Sequence, residues 1–151
     1  MNITFRSATH SDIPTLADFN CRLAMETEGR QLDSATVQAG VTRGLDVGEE
    51  VRYFVADADG QVIGQIMLTR EWSDWRDGWI AWLQSVYVVA EARGKGVFKG
   101  LLQHAIDQLK QQPDVVCMRL YVERDNNAAI ATYQKLNFAD SGYHVMETPL
   151  Q

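Results

Sequence analysis

The sequence predicts a mixed-sheet α/β fold with helices on both faces of the sheet, and three observations carry that expectation. Segments with strand character alternate with segments of helical period along all 151 residues, with no internal repeat and no linker. Residues 80–89, IAWLQSVYVV, form an almost unbroken apolar run, rich in β-branched and aromatic side chains and too short for a typical helix, as expected of a strand covered on both faces. A helix follows at once: Val97, Leu101 and Ala105 with Phe98, Leu102, Ile106 and Leu109 recur at spacings of three and four, while Lys99, Gln103, Asp107 and Lys110 fall on the other side.

The remaining elements follow in order. Asn2 to Ala8 alternates, with Ile3 and Phe5 on one face, and reads as a half-buried first strand. Ser11 or Asp12 caps a helix with Pro14 in its first turn and an apolar stripe reaching about Met25, after which Glu26 to Arg30 is polar and ends at a glycine-containing stretch. A second helix is expected from Ser34 to about Leu45. Tyr53 to Ala56 and Val62 to Thr69 are strands joined by Asp57-Ala58-Asp59-Gly60, whose final Asp-Gly is a strong hairpin signal. After the central strand and helix, Pro113 and Asp114 break the chain, Val115 to Val122 is a strand, and Asn127 to about Leu136 is a helix. Phe138 to Glu147 is expected to add one or two final strands.

Composition narrows the function. Hydrophobic residues make up 46% and charged residues 23%, which suits a globular domain of ordinary size. No stretch approaches the ~20 apolar residues of a membrane span, and the N-terminus lacks a signal core, so a cytoplasmic location and no membrane partner are expected. A formal net charge of −6 argues against nucleic acid as a bulk partner. Cys21 and Cys117 are far apart, read as core thiols, and with His10, His104 and His144 form no metal-ligand pattern, so no metal is expected.

Against that acidic background, Arg93, Lys95 and Lys99 stand among Gly94, Gly96 and Gly100 at a helix start. Glycines let the backbone turn and approach a ligand, and the first helical amides point outward as an anion site. The stretch lacks the Walker pattern, and its glycines are spaced one residue too long for a dinucleotide fingerprint. It resembles the acyl-CoA loop of the GNAT superfamily of N-acetyltransferases, R/Q-x-x-G-x-G/A, read here as Arg93, Gly94, Lys95, Gly96, Val97 and Phe98, with Val86-Tyr87-Val88 at the family's distance before it. Phe98 departs from the family's Gly or Ala; either the first helical turn stands off the pyrophosphate or the ring points away. A second GNAT pattern, N-x-x-A-x-x-x-Y-x-K-x-G-F, is matched at Asn126, Ala129, Tyr133, Lys135 and Phe138. Asn137 replaces its glycine, a mild change because Asn tolerates the left-handed conformation after a helix.

The resemblance implies one domain over residues 1–151 with the GNAT fold, acetyl-CoA as cosubstrate, and transfer of its acetyl group to a primary amine of a small molecule, peptide or protein. Arg93 to Lys99 hold the pyrophosphate and Asn126 meets the pantetheine arm. A backbone N–H at Val86 to Val88 donates to the oxyanion, and Tyr133 protonates the leaving sulfur. The base for the incoming ammonium is left open among Glu26, Glu28, Glu123 and water. Glu26 and Glu28 are two apart, so at most one faces the site, and Glu28 is the residue placed there. A module that binds acyl-CoA without turnover is the competing reading. Trp72 and Trp75 are expected in an exposed loop and Trp82 in the core, while Glu71, Asp74 and Asp77 nearby favour a cationic acceptor. The chain is expected to be a monomer or a homodimer.

Overall fold

In the computed structural model, which describes residues 2–151, five strands form one sheet: β1 (Ile3–Ser7), β2 (Val51–Ala58), β3 (Gln61–Ser73), β4 (Gly78–Val88) and β5 (Val115–Leu120), in that spatial order. The first four are antiparallel neighbours and β5 runs parallel to β4. A parallel pair needs a crossover, which α3 (Val97–Leu109) supplies. Helices α1 (Ile13–Glu28) and α2 (Ser34–Asp46) link β1 to β2, and α4 (Asn127–Lys135) follows β5.

Both faces of the sheet are covered, which explains strands without polar alternation. Along β2 successive side chains point to opposite faces. Tyr53 and Val55 pack with Leu16 of α1 and Val41 of α2, while Phe54 and Ala56 join a larger core with Leu101, Leu102 and Ala105 of α3. The β2–β3 turn is Asp59-Gly60, with φ of 52° and 91°, the two left-handed residues of the hairpin that the sequence predicts. Gly100 serves packing rather than a ligand: a Cβ there would lie 2.1 Å from Cζ of Phe5, so its absence lets β1 close onto α3.

Several boundaries move, each for a physical reason. The chain enters α1 through a short 3-10 turn at His10–Asp12, and the Asp12 carboxylate does not cap α1 but accepts from the Thr9 amide at 2.8 Å and from Arg6 at 2.8 Å. Arg6 also reaches Asp57 at 3.0 Å, tying β1 to the hairpin. Helix α1 continues past Met25 to Glu28, where Gly29 with φ 61° ends it by donating to the Met25 carbonyl. Trp72 is not in a loop: it lies in β3 opposite Trp79, ring to ring at 5.0 Å, with the Arg70 guanidinium 4.1 Å above Trp79. Trp75 sits in the intervening turn and is 90% exposed. Trp82 is half-buried rather than core, and its indole N–H donates to Glu71 at 2.9 Å. Cys21 and Cys117 are likewise half-buried.

The expected final strands over Phe138–Glu147 are absent, and residues 139–151 are all exposed. A strand exists only against a neighbour, and among the described residues no backbone group of 139–151 bonds to another backbone segment; the Gly142 and Tyr143 amides turn to the side chains of Asp140 and Ser141. No helix among the described residues is long and apolar enough to cross a membrane.

Candidate active site

The site begins with an irregularity in β4. Opposite β3, Gln65 pairs with Tyr87 but Met67 pairs with Gln84, so Ser85 and Val86 together face Ile66. This is a β-bulge, and Ser85 takes a left-handed φ of 51°, unusual for a residue other than glycine. The fully buried Gln65 holds it there: its amide Nε2 donates to the Ser85 carbonyl at 3.0 Å and to Asn20 Oδ1 of α1 at 3.2 Å. Sequence reasoning missed Gln65, whose signal is one amide inside the apolar run VIGQIML.

Beyond the bulge the sheet opens. The last β4–β5 pair is Leu83 with Leu120, after which β5 ends while β4 continues to Val88. The backbone of Val86 to Val88 thus has no strand on its outer side. A cavity of about 570 Å³ fills the opening, lined by Leu23, Glu26, Tyr87, Val88, Glu123 and Asn126 among others.

A second cavity of about 370 Å³ shares Val88 and Arg93 with the first and runs along the start of α3. Gly94 and Gly96, with φ of 74° and 81°, shape its wall, and a Cβ at either would meet nothing within 4 Å. Their conformation requires glycine, and the space beside them is free for a ligand. Gly96 is the residue before α3, so the amides of Val97, Phe98 and Lys99 have no partner within the helix. Lys95 and Lys99 are exposed beside them. Phe98 turns its ring to Tyr133 on α4, at 5.8 Å and nearly perpendicular.

Arg93 does something the sequence does not reveal. Its Nη2 donates to Glu26 Oε1 at 2.7 Å and its Nε to the Val88 carbonyl at 2.8 Å, while the Tyr87 hydroxyl donates to Glu26 Oε2 at 2.6 Å. Arg93 therefore ties the glycine loop to α1 and to the end of β4. The bonds from Tyr87 and then Arg93 hold the Glu26 carboxyl below the usual range, and burial, together with Glu26, pushes the Tyr87 phenol up. Glu26, not Glu28, lines the cavity. Glu28 is the exposed last residue of α1, on another side as the two-residue spacing requires. Glu123 also lines it and accepts from the Asp125 amide at 2.8 Å.

Helix α4 closes the far side. Asn126 caps it, its Oδ1 accepting from the Ala129 amide at 3.2 Å. The Tyr133 ring sits between Phe98 and Phe138, each at 5.8 Å, burial pushes its phenol up, and it is not among the lining residues of either cavity. Asn137 adopts φ 71°, the left-handed turn that the sequence anticipates.

A bulged central strand, a parting from its parallel neighbour and a glycine-fronted helix meet in one cleft. The profile of the Acetyltransferase (GNAT) family matches residues 19–138, a span that contains all of these parts. The chain belongs to this family. The crystal structure of a possible acetyltransferase from Clostridium difficile 630 superposes with a TM-score of 0.92 at 40% identity, covering 100% of this chain and 99% of that one. An N-alpha-acetyltransferase of Saccharolobus solfataricus is 35% identical over 95 residues, 57% of this chain and 55% of its own length. A mycothiol acetyltransferase of Paenarthrobacter aurescens is 44% identical over 68 residues, 43% of this chain but only 21% of its own length. A predicted acetyltransferase of Clostridium acetobutylicum, crystallised with acetyl-CoA, shares the fold at TM-score 0.81 and 16% identity.

Proposed function

We propose that residues 1–151 act as one catalytic domain that takes an acetyl group from acetyl-CoA and transfers it to a primary amine. The observation that carries this reading is the junction of two cavities at Val88 and Arg93, one against the open amides of α3 and one against the unpaired edge of β4. A pyrophosphate suits the cavity at α3: Gly94 and Gly96 admit it, and the Val97 to Lys99 amides with Lys95 and Lys99 neutralise it. A pantetheine arm suits the cavity beside β4, running along Val86 to Val88 and past Asn126 and Ala129.

The chemistry follows from those placements. The amine lone pair attacks the thioester carbon, and an N–H on the free edge of β4 donates to the oxyanion that forms. The C–S bond then breaks and the thiolate takes a proton, which we assign to Tyr133. A phenol is a weaker acid than a thiol, and burial weakens this one further, so the transfer is uphill. Tyr133 lines neither cavity in the free protein, so in this reading its hydroxyl turns toward the departing sulfur, donates a hydrogen bond to it and releases its proton as the bond parts, after which solvent restores it. The Glu26 carboxyl, held low by Tyr87 and Arg93, is a poor base but a good counter-ion for an ammonium. Glu123 or water then takes the amine's proton. Three carboxylates, Glu26, Glu123 and Asp125, line the acceptor cavity and favour a cationic amine.

The test is thiol release from acetyl-CoA across a panel of amines, with Tyr133→Phe and Tyr87→Phe compared in the same assay. Tyr133→Phe is expected to keep CoA affinity and lower kcat by ~10²–10⁴, the contribution of a positioned acid. A near-parental rate removes Tyr133 from the mechanism, and a loss confined to Tyr87→Phe passes the role to Tyr87. Stabilisation by CoA without thiol release from any amine makes the chain a binding module.

A further inference from the structure

One amide lies inside the sheet where packing alone does not account for it. Gln65 has no exposure and stands between Gly64 and Ile66, both buried, in the apolar run VIGQIML. Its Nε2 donates to the Ser85 carbonyl at 3.0 Å and to Asn20 Oδ1 at 3.2 Å, but among the described residues its Oε1 accepts from no group. A buried acceptor without a donor destabilises the fold, and an apolar side chain of similar volume would remove that penalty along with the two bonds. What the glutamine contributes is therefore the carbonyl that its nitrogen holds.

That carbonyl belongs to the bulged residue, Ser85, whose φ of 51° is a conformation that residues other than glycine disfavour. The Ser85–Val86 peptide is trans and planar, so its N–H points opposite to its C=O. The bond from Gln65 pins the carbonyl and thereby fixes the direction of the Val86 N–H, and Val86 lines the cleft. We propose that Gln65 is a positioning residue for acyl transfer: by holding the Ser85 carbonyl, its amide directs the Val86 N–H at the thioester oxygen and prepares the donor for the oxyanion. The proposal rests on the acetyl transfer proposed above, whose oxyanion donor it narrows to Val86. Asn20 ties the same amide to α1, the helix that carries Glu26, so one side chain sets the bulge against the helix beside it.

Gln65→Met keeps the volume and removes both donor bonds. Its melting temperature is expected to match or exceed the parent's, and its KM for acetyl-CoA to stay within about threefold. Its kcat, with any amine the parent accepts, should fall at least tenfold, toward the ~10²–10³ that a whole oxyanion donor contributes. An unchanged kcat in the folded variant overturns the proposal, as does a loss carried by KM alone. Asn20→Ala removes only the contact to α1 and is expected to keep kcat within about threefold; a loss equal to that of Gln65→Met overturns the role of the Ser85 bond. Amide NMR reads the same step without turnover. In the parent, the Val86 amide proton should move further downfield with acetyl-CoA than with CoA, which lacks the thioester oxygen, and that difference should vanish in Gln65→Met. Equal shifts with the two ligands overturn the proposal even where acetyl transfer is observed. A parent that shows the Val86 difference yet acetylates no amine supports the role of Gln65 and overturns the amine acceptor instead.

Discussion

Helices α3 and α4 flank the same cleft and are held in opposite ways. Helix α3 buries Val97, Leu101, Leu102 and Ala105 against the sheet; α4 buries none of its nine residues and rests on the aromatic contacts of Tyr133 with Phe98 and Phe138. The side that would receive the pyrophosphate is therefore built into the core, whereas the side that carries Tyr133 and Asn126 is attached by few contacts. Local stability follows burial, so the two walls should differ in how often they open.

The largest effect tests that contrast directly. Leu101→Ala, at a position with no exposure, is expected to cost about 2–5 kcal/mol in a urea titration, while Ile130→Ala on α4 costs about 1 kcal/mol or less. Equal losses would show that α4 is as well packed as α3. Amide exchange sharpens the point: α4 should exchange faster than α3 in the free protein and slow when CoA is added.

A smaller effect tests the glycine wall. Gly96→Asp places a side chain and a negative charge over the open amides, and its CoA affinity by calorimetry should fall at least tenfold, about 1.4 kcal/mol, below that of Gly96→Ala, which carries the same left-handed backbone strain without the charge. Unchanged affinity would move the pyrophosphate elsewhere.

The smallest effect concerns Glu26, which joins the two walls through Arg93. Its carboxyl titrates lower when folded than when unfolded, so its stabilisation is present above the ordinary glutamate range, about 4.3, and is lost as pH falls through the folded value. The parent should exceed Glu26→Gln by less than about 1 kcal/mol at pH 7, because the pair is partly exposed, and the gap should close in acid. A gap that persists in acid, once the carboxyl is protonated in the folded protein as well, would assign the difference to packing.

What was legible in the sequence was local. The Asp59-Gly60 turn, the glycines before α3 and the left-handed Asn137 each follow from one or two adjacent residues. What was not legible depends on distant partners. Arg93 reads as a phosphate cation until Glu26, 67 residues away, appears against it, and Gly100 reads as part of the loop until Phe5 fills the space above it. Glu26 could be preferred to Glu28 only once α1 was seen to run three residues further. The tail from Phe138 has the right composition for a strand, but composition cannot supply the neighbour a strand requires.

Gln65 has a further consequence for how the chain finds its register. A β3–β4 pairing slipped by one residue would take the Ser85 carbonyl away from the buried Gln65 amide and leave it only Asn20 of α1, a loss of about 0.5–1.5 kcal/mol. The contact that shapes the cleft thereby also proofreads the alignment of the two longest strands, so a molecule with a misaligned sheet is discouraged from persisting with a malformed site.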